Sequence, residues 1–381
     1  MTSIPLAIDG ANPLGYLAAL GIAQLLVERR EVRAGVCLSW DAARRPVLRA
    51  PSVDDAERLI NLLADLARRP AAAEDAVADE KSKRAKFEAA RREERKKRDE
   101  IKKQQLRRDK RRAAIETELV PLAKKANELR REWRTARATA APDVTVSLGL
   151  DLNAKSDEFA EHCVDALDAA GSTGRRWSDF CSCFGAESKD ERMAATPFAL
   201  ISGSGHQHFL GTAGDLMVAC TGDHFRNALF GTWSASDEGS SFRWDPADDR
   251  RYALLADDPT ASGNKPKTIW GANRLAFEAL RLFPCLRSKG QRATVGWRTI
   301  NGEEVWRWPL WSCPLAPQVI SSILATGDLW RDESESRRRL RARGVFAVYQ
   351  TRRLAVGRAP NQKLNLTPAV PIWTSTPKVS S

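Results

Sequence analysis

The sequence predicts an α+β protein, with a mixed α/β body that carries an inserted long basic helical arm shaped like a coiled-coil hairpin. Three observations predict this class. Helical apolar patterns are mixed with short alternating runs, 43% of the residues are hydrophobic, and one segment of strong helix formers has almost no large apolar residues. The predicted N-terminal α/β element, basic arm, C-terminal body and loose tail are residues 1–70, 71–141, 142–367 and 368–381.

The N-terminal element follows recognisable local signals. Asn12 stands where it can cap a first helix, and residues 36–48 have the pattern of a β-hairpin. A second helix is expected over residues 53–68, capped by Ser52. Gly21 in the first helix either lets another backbone approach closely or is simply a tolerated glycine. The sequence leaves both interpretations open.

The arm is the most basic and least apolar part of the chain. Residues 81–112 read KSKRAKFEAARREERKKRDEIKKQQLRRDKRR, with no apolar stripe. A helix that is polar all round is solvated, supported by ion pairs between successive turns, or contacted by a charged partner. Pro121 is expected to break or kink the helix. The arm is therefore either a solvated spacer or a structure that lies along nucleic-acid phosphates.

Charge and cysteine usage limit the class of partner. The formal charge of +12 and the isoelectric point near 9.6 favour an anionic partner, since clustered Lys and Arg release counterions from phosphates. Seven cysteines in a large chain without a signal peptide predict a cytoplasmic protein without disulfides. No apolar run is long enough for a membrane span. No cofactor and no small-molecule substrate are expected.

Two groups of residues resemble metal ligands or an anion site. Cys181 and Cys183 are spaced CxC with no second pair, so buried free thiols are favoured over a zinc site. His206 and His208 could share a metal, but the loop before a helix that they occupy favours hydrogen bonding or capping. The glycine-rich turn at residues 202–205 could hold a phosphate on its backbone N–H groups.

The segment FRWDPADDRR gives the alternative of an enzyme. Phe242 and Trp244 alternate as in a strand, and Asp245 or Asp248 could join the histidine pair in a metal-dependent nuclease. This alternative is discounted, because the acids lie on one short turn beside two arginines. The sequence therefore does not predict an enzyme.

Several arginines lie beside aromatic residues. Arg175 and Arg176 precede a tryptophan in a predicted loop, which is either an ordinary surface loop or a site for bases and phosphate. Arginines and tryptophans also interleave in a predicted hairpin over residues 291–309, where core positions are favoured over a stacking surface. Asn273 is expected to cap a helix, and residues 334–343 form a basic helix.

The order of four blocks resembles a known family. DGANPLGYLAALG, TPFALISGSGHQHFL, FRWDPADDRRYAL and WGANRLAFEALRLFP are similar to proteins encoded with type I-G (formerly I-U) CRISPR systems, where they serve as a large or accessory subunit of the Cascade-like surveillance complex. The resemblance implies a non-catalytic subunit for antiviral defence that contacts crRNA, target DNA or both, together with other effector subunits. The resemblance also implies that such a subunit contacts the backbone of the nucleic acid.

These arguments give a nucleic-acid-binding protein as the hypothesis, with a metal-dependent nuclease and a scaffold bound through the charged arm as alternatives. The residues expected to contact nucleic acid are Arg175, Arg176, Gly203, Gly205, His206, His208, Trp244, Arg250, Arg251, Asn273, Arg274, Arg337, Arg338, Arg339 and Arg341.

Overall fold

Helices and small antiparallel sheets make up the chain, which confirms the predicted α+β class. The chain divides into two units, which we call the arm (Arg69–Ser147) and the body (Met1–Arg68 with Leu148–Ser381). The N-terminal element that was expected as a domain of its own is therefore part of the body. The computed structural model describes residues 2–68, 74–104, 107–140, 151–152, 154–173, 175–188, 192–201, 208–248, 267–356 and 363–376.

The secondary structure elements are numbered in chain order. The helices are α1 (Pro13–Leu26), α2 (Arg30–Arg33), α3 (Ala56–Ala67), α4 (Glu74–Lys103), α5 (Arg108–Ala114), α6 (Val120–Ala140), α7 (Ser156–Thr173), α8 (Arg176–Phe184), α9 (Phe209–Ala219), α10 (Gly222–Phe230), α11 (Trp270–Ala279), α12 (Pro317–Leu324) and α13 (Ser334–Ala342). The strands are β1 (Ser3–Pro5), β2 (Cys37–Trp40), β3 (Pro46–Arg49), β4 (Gly185–Glu187), β5 (Met193–Ala195), β6 (Asp237–Glu238), β7 (Lys267–Thr268), β8 (Cys285–Ser288), β9 (Gln291–Thr294), β10 (Trp297–Ile300), β11 (Glu303–Trp311), β12 (Val345–Val356), β13 (Lys363–Leu366) and β14 (Val370–Thr374).

Local capping explains where the first helices begin. The side chain of Asn12 accepts a hydrogen bond from the backbone N–H of Gly15 at 3.2 Å, which confirms the predicted cap of α1. Helix α3 begins later than predicted, because its cap is Asp55 and not Ser52. The Asp55 carboxylate accepts from the backbone N–H of Arg58 at 2.7 Å.

Helix α1 is the centre of the body. All of its residues are buried, and it packs along α11. A Cβ atom placed on Gly21 would lie 1.8 Å from the backbone oxygen of Leu275 in α11. Of the two interpretations of Gly21, the close approach of another backbone is therefore confirmed.

We expect Gly21→Ala to destabilise the body by about 1–3 kcal/mol, because the added methyl group forces two packed backbones apart. In an exposed helix the same substitution would stabilise by about 1 kcal/mol. Gly222→Ala is the matched control, since its Cβ would meet only the end of the Ile60 side chain at 3.3 Å. Urea unfolding measures both variants. Equal stability of Gly21→Ala and wild type would contradict the proposed packing.

The largest sheet has the order β10-β11-β12-β13, and β14 also pairs with β12. Strands β10 and β11 form the predicted hairpin, turned by Asn301 and Gly302 at φ 50° and 83°. Strand β14 occupies part of the segment predicted to be a loose tail, so that prediction is wrong for these residues. Their backbone groups pair with the centre of β12. Residues 377–381 lie outside the described ranges.

The tryptophans of β11 form an aromatic core with the N-terminal elements. Trp306 and Trp308 are fully buried, as the favoured core interpretation predicted, and both pack near Tyr16. The indole N–H of Trp308 donates to the backbone oxygen of Gly10 at 2.9 Å. These contacts join the N- and C-terminal parts of the chain.

Within the arm, α4 and α6 pack as an antiparallel hairpin. Phe87 stacks on Trp133 with ring centroids 5.3 Å apart, and the Trp133 indole donates to Glu80 at 2.7 Å. A break or a kink was predicted at Pro121, and the break does not occur, because helix α6 runs through this residue. A π-helical turn (Ile115–Leu119) joins α5 to α6 just before it, and this wider turn accommodates the missing N–H and the ring of proline.

Candidate nucleic-acid interface

Positive charge in the arm is concentrated where α4 gives way to α5. Residues 101–112, which we call the arm turn, contain seven Lys or Arg and one Asp, a net charge of +6 out of +12 for the whole chain. All seven basic side chains are exposed. Among the residues that the structure describes, which leave out 105–106 of this turn, only Arg112 has an ion pair, with Glu116 at 3.1 Å.

The shaft of the arm has a different charge pattern. Residues 74–100 contain ten Lys or Arg against nine Asp or Glu, and many of them pair. Such pairs neutralise the shaft and support its helices, whereas the arm turn keeps its charge. The pairs include Lys83–Asp79 and Arg84–Glu88 at 2.9 Å, Lys97–Glu118 at 2.5 Å and Arg98–Glu94.

The basic helix α13 is less available to a phosphate than its sequence predicted. Three of the four predicted contact residues on it form ion pairs. Of the four, Arg341 alone has no ion pair with a residue that the structure describes. Its guanidinium lies over the ring of Trp373, 5.4 Å from the centroid. The pairs are Arg337–Asp332, Arg338–Glu335 at 2.9 Å and Arg339–Asp328 at 2.7 Å.

Arg175 and Arg176 have opposite environments, although the sequence placed both in one loop. Arg176 begins helix α8. The side chain of Arg175 is 86% exposed and pairs with Asp179 at 2.8 Å. That of Arg176 is only 15% exposed and bonds to Glu278. Arg175 therefore stays a predicted contact, whereas Arg176 belongs to a structural cluster.

Glu278 is the centre of that cluster. Its fully buried carboxylate accepts hydrogen bonds from Arg176 at 2.5 Å and from Arg274 at 2.8 Å, and it forms an ion pair with Arg281 at 3.2 Å. Burial favours the neutral acid, but the three guanidinium groups outweigh burial and hold the pKa of Glu278 well below its ordinary value. Arg176 and Arg274 also donate to the last backbone oxygens of α3. The prediction that Arg274 lies on a contact surface is wrong, because its side chain is 1% exposed.

Trp244 is also unavailable for contact. Phe242 and Trp244 do not lie in a strand, and Arg243 between them has φ 62°. They nevertheless share one face, as residues two apart in a strand do, and their rings stack in the core at 4.4 Å. The Trp244 indole donates to the backbone oxygen of Phe198 at 2.8 Å. The predicted contact surface at Trp244 is corrected to a core position.

Asn273 is not the cap of α11, because that helix begins at Trp270. Its buried side chain donates to the Thr268 hydroxyl at 2.9 Å and accepts from the backbone N–H of Phe242 at 3.1 Å. These bonds satisfy the buried amide and tie α11 to the segment before it. The predicted role of Asn273 in nucleic-acid contact is therefore corrected as well.

The acids of the nuclease alternative are parts of the core. Asp245 accepts from Asn12 at 3.1 Å, and Asp248 accepts from the hydroxyl of Ser241 at 2.5 Å. Both are nearly fully buried. No group of three or more metal-ligating side chains occurs among the described residues. Cys181 and Cys183 are buried free thiols, as predicted.

His208 lies at the N-terminus of α9, in line with the interpretation that favoured hydrogen bonding. Its Nδ1 is 2.6 Å from a carboxylate oxygen of Asp151, whose other oxygen accepts from the first backbone N–H of the helix at 3.0 Å. Asp151 is thus the group that caps α9. The other predicted contacts of this stretch, Gly203, Gly205, His206, Arg250 and Arg251, lie outside the described residues.

A further cluster contains residues that the sequence analysis noted only as interleaved or did not single out. Arg298 and Arg307 project from β10 and β11 on the face opposite the buried tryptophans, and both guanidinium groups lie 4.9 Å from the ring centroid of Trp330. Arg331 follows and is exposed. We call these four residues the Trp330 cluster. Strand alternation could have placed the two arginines together, but nothing in the sequence pointed to Trp330.

Comparison with models of protein families, with curated proteins and with solved structures found no match. In the described part of the chain, no helix has the length and apolar character that a membrane span requires.

Proposed function

We propose that this protein binds nucleic acid through its phosphates, with the arm turn as the main contact, and that it does so as a non-catalytic subunit of a type I-G CRISPR effector complex. One observation carries the binding proposal. Half of the net charge of the chain lies in residues 101–112, on exposed side chains of which only Arg112 has an ion pair with a residue in the described part of the chain. Each exposed basic side chain that contacts a phosphate releases a counterion from the nucleic acid, and this release adds to the affinity.

The contrast within the arm supports a contact role over a solvated spacer. A spacer needs only a neutral, soluble surface, which the paired shaft already has. Gathering seven like charges in one turn costs repulsion energy, and an anionic partner removes that repulsion. Arg341, which is exposed on the body and has no ion pair among the described residues, is proposed as a further phosphate contact. Arg175 and Arg338 are also exposed, but each would exchange a carboxylate partner for the phosphate.

The assignment to a CRISPR complex is supported by the resemblance of the four sequence blocks. Two of these blocks form helices α1 and α11, which pack at the centre of the body. The two helix backbones approach closely at Gly21 of α1, so this contact depends on both blocks. Such a subunit would contact crRNA, target DNA or both, and would bind other effector subunits.

A nuclease is not proposed, because Asp245 and Asp248 already bind groups of their own chain. Two-metal catalysis needs carboxylates that are free to bind the ions. Asp248, which accepts the Ser241 hydroxyl inside the core, does not present such an oxygen to a substrate.

The proposal is tested by binding of the full-length chain to labelled duplex DNA, single-stranded DNA and RNA. If six arm-turn side chains each contact a phosphate, affinity for duplex DNA falls roughly 10³-fold between about 50 and 200 mM salt. Absence of binding at low salt to all three would overturn the proposal. Capture of a protein partner that survives nuclease treatment would then favour the scaffold alternative, and metal-dependent cleavage of the DNA would favour the nuclease.

A further inference from the structure

A cavity of about 130 Å³ lies against the Trp330 cluster, on the side of the main sheet opposite the tryptophan core. Arg307, Trp330, Arg331, Arg337 and Trp373 contribute to its wall. Drug-sized ligands and cofactors occupy pockets of about 300–1,000 Å³, so this cavity is too small for a whole nucleotide. It has room for one small anion with its hydrogen-bond donors.

The positive charge at this cavity is not balanced. The two acidic residues in its wall are already paired, Asp328 with Arg339 and Arg343 and Asp332 with Arg337. Arg298, Arg307 and Arg331 have no ion pair among the described residues. Burial and the neighbouring Arg331 both lower the pKa of Arg298. Burial also lowers the pKa of Arg307, where the Asp332 carboxylate opposes the shift and Arg298 adds to it.

The arginines are held in place before any ligand arrives. Trp330 contacts both Arg298 and Arg307 at 4.9 Å, a cation–π arrangement that restricts both side chains. Arg307 also donates to the side-chain oxygen of Gln350 at 2.8 Å and to the backbone oxygen of Leu329 at 3.1 Å. Ordering the donors in advance lowers the entropy cost of binding an anion.

Arg337, which lines the cavity, has one donor whose bonding is not satisfied by the part of the chain that the structure describes. Its buried Nε–H donates a hydrogen bond to none of these residues. A buried donor without a partner is costly, and a ligand that accepts a hydrogen bond removes this cost. Phosphate oxygens accept several charge-assisted bonds in the geometry that guanidinium groups present.

We propose that the cavity beside Trp330 is a phosphate-binding site, in which Arg307, Arg331 and Arg337 hold one phosphate group of a nucleic-acid strand. This inference deepens the proposed function and rests on it for the identity of the ligand. The phosphate is either an internal diester or a terminal monoester of the strand. Both present the oxygens that the three arginines can bind.

The test uses an arm-turn variant of the full-length chain, so that the main proposed contact does not mask the cavity. It carries Lys102→Gln, Lys103→Gln, Arg108→Gln and Arg111→Gln. Binding of a labelled single-stranded trinucleotide, with either a 5′-phosphate or a 5′-hydroxyl, is measured at low salt. Further substitutions are added one at a time: Arg331→Ala, Trp330→Leu, and Arg33→Ala as a control.

Arg331→Ala is expected to weaken binding roughly 10-fold, the usual effect of losing one hydrogen bond to a charged group. Trp330→Leu keeps the net charge and is expected to weaken binding about 2- to 5-fold through lost cation–π restraint. Arg33 is exposed and has no ion pair among the described residues, so Arg33→Ala removes the same charge as Arg331→Ala with no effect at the cavity. Thermal unfolding checks that Trp330→Leu remains folded.

Inorganic phosphate is expected to compete with the trinucleotide more strongly than chloride at equal ionic strength. A preference for the 5′-phosphate supports a monoester, and equal binding of both trinucleotides supports a diester. Equal effects of Arg331→Ala and Arg33→Ala, or no binding at all, would overturn the site. Because the arm turn carries the same four substitutions in every variant, failure here leaves the proposed function of the arm untouched, and the reverse also holds.

Discussion

Glu278→Gln is expected to lower the free energy of unfolding by about 3–5 kcal/mol, because it leaves three guanidinium groups without their shared carboxylate. The side chain of Arg274 is 1% exposed and that of Arg281 is 3% exposed, so water cannot solvate either guanidinium group once the carboxylate charge is removed. Glutamine has nearly the volume of glutamate, and packing is kept. The loss of stability in Glu278→Gln therefore measures the contribution of the carboxylate charge and not of packing.

Glu335→Gln is the matched control for this substitution. Glu335 on α13 also contacts two arginines, Arg338 at 2.9 Å and Arg339 at 3.2 Å, but in an exposed position. Solvent screens such pairs, so little change in stability is expected. Urea unfolding of both variants separates the two environments. Equal and small effects would contradict a buried charge cluster at Glu278.

The same cluster predicts how stability depends on pH. The pKa of Glu278 in the folded protein is lower than its value of about 4.3 in an unfolded chain. Its stabilising contribution is therefore complete above about pH 4.3 and is lost as pH falls from there towards the folded pKa. As pH falls, the melting temperature of wild type should decrease more steeply than that of Glu278→Gln. An equal loss of stability in both proteins would argue against an ionised carboxylate at Glu278.

The sequence predicted the elements that depend on nearby residues. The Asn12 cap of α1 and the Asn301–Gly302 turn follow rules that act within a few positions. The arm was visible from composition alone. At Pro121 a break or a kink was predicted, and the break is absent; the π-helical turn just before it has no sequence signal that we recognised.

The candidate site was predicted less well, because pairing decides which arginines are available. Arg176 and Glu278 are about a hundred positions apart, and nothing local indicates that they meet. Alternation with Arg243 placed Trp244 and Phe242 on one face, but nothing local showed that this face is the core. In the arm, the charged run was interpreted as uniformly basic, although a count of charges separates the nearly neutral residues 74–100 from the basic residues 101–112. Which of these charges form ion pairs appeared only once the helices were placed.

Removing four positive charges from the arm turn is expected to have the largest effect on nucleic-acid binding. The arm-turn variant defined above removes four charges that have no ion pair among the described residues. A shaft variant removes four paired charges, and each variant lowers the formal charge of the chain from +12 to +8. Net charge is therefore the same in both. The shaft substitutions are Lys83→Gln, Arg84→Gln, Lys97→Gln and Arg98→Gln.

The decisive measurement is the slope of log affinity for duplex DNA against log salt concentration in wild type and both variants. If the arm turn contacts phosphates, its variant should flatten the slope by about 3–4, close to 0.9 for each contact removed, and the shaft variant by less than about 1. Equal flattening in both would show that only net charge matters. An unchanged slope in the arm-turn variant would contradict the proposal that this turn binds nucleic acid.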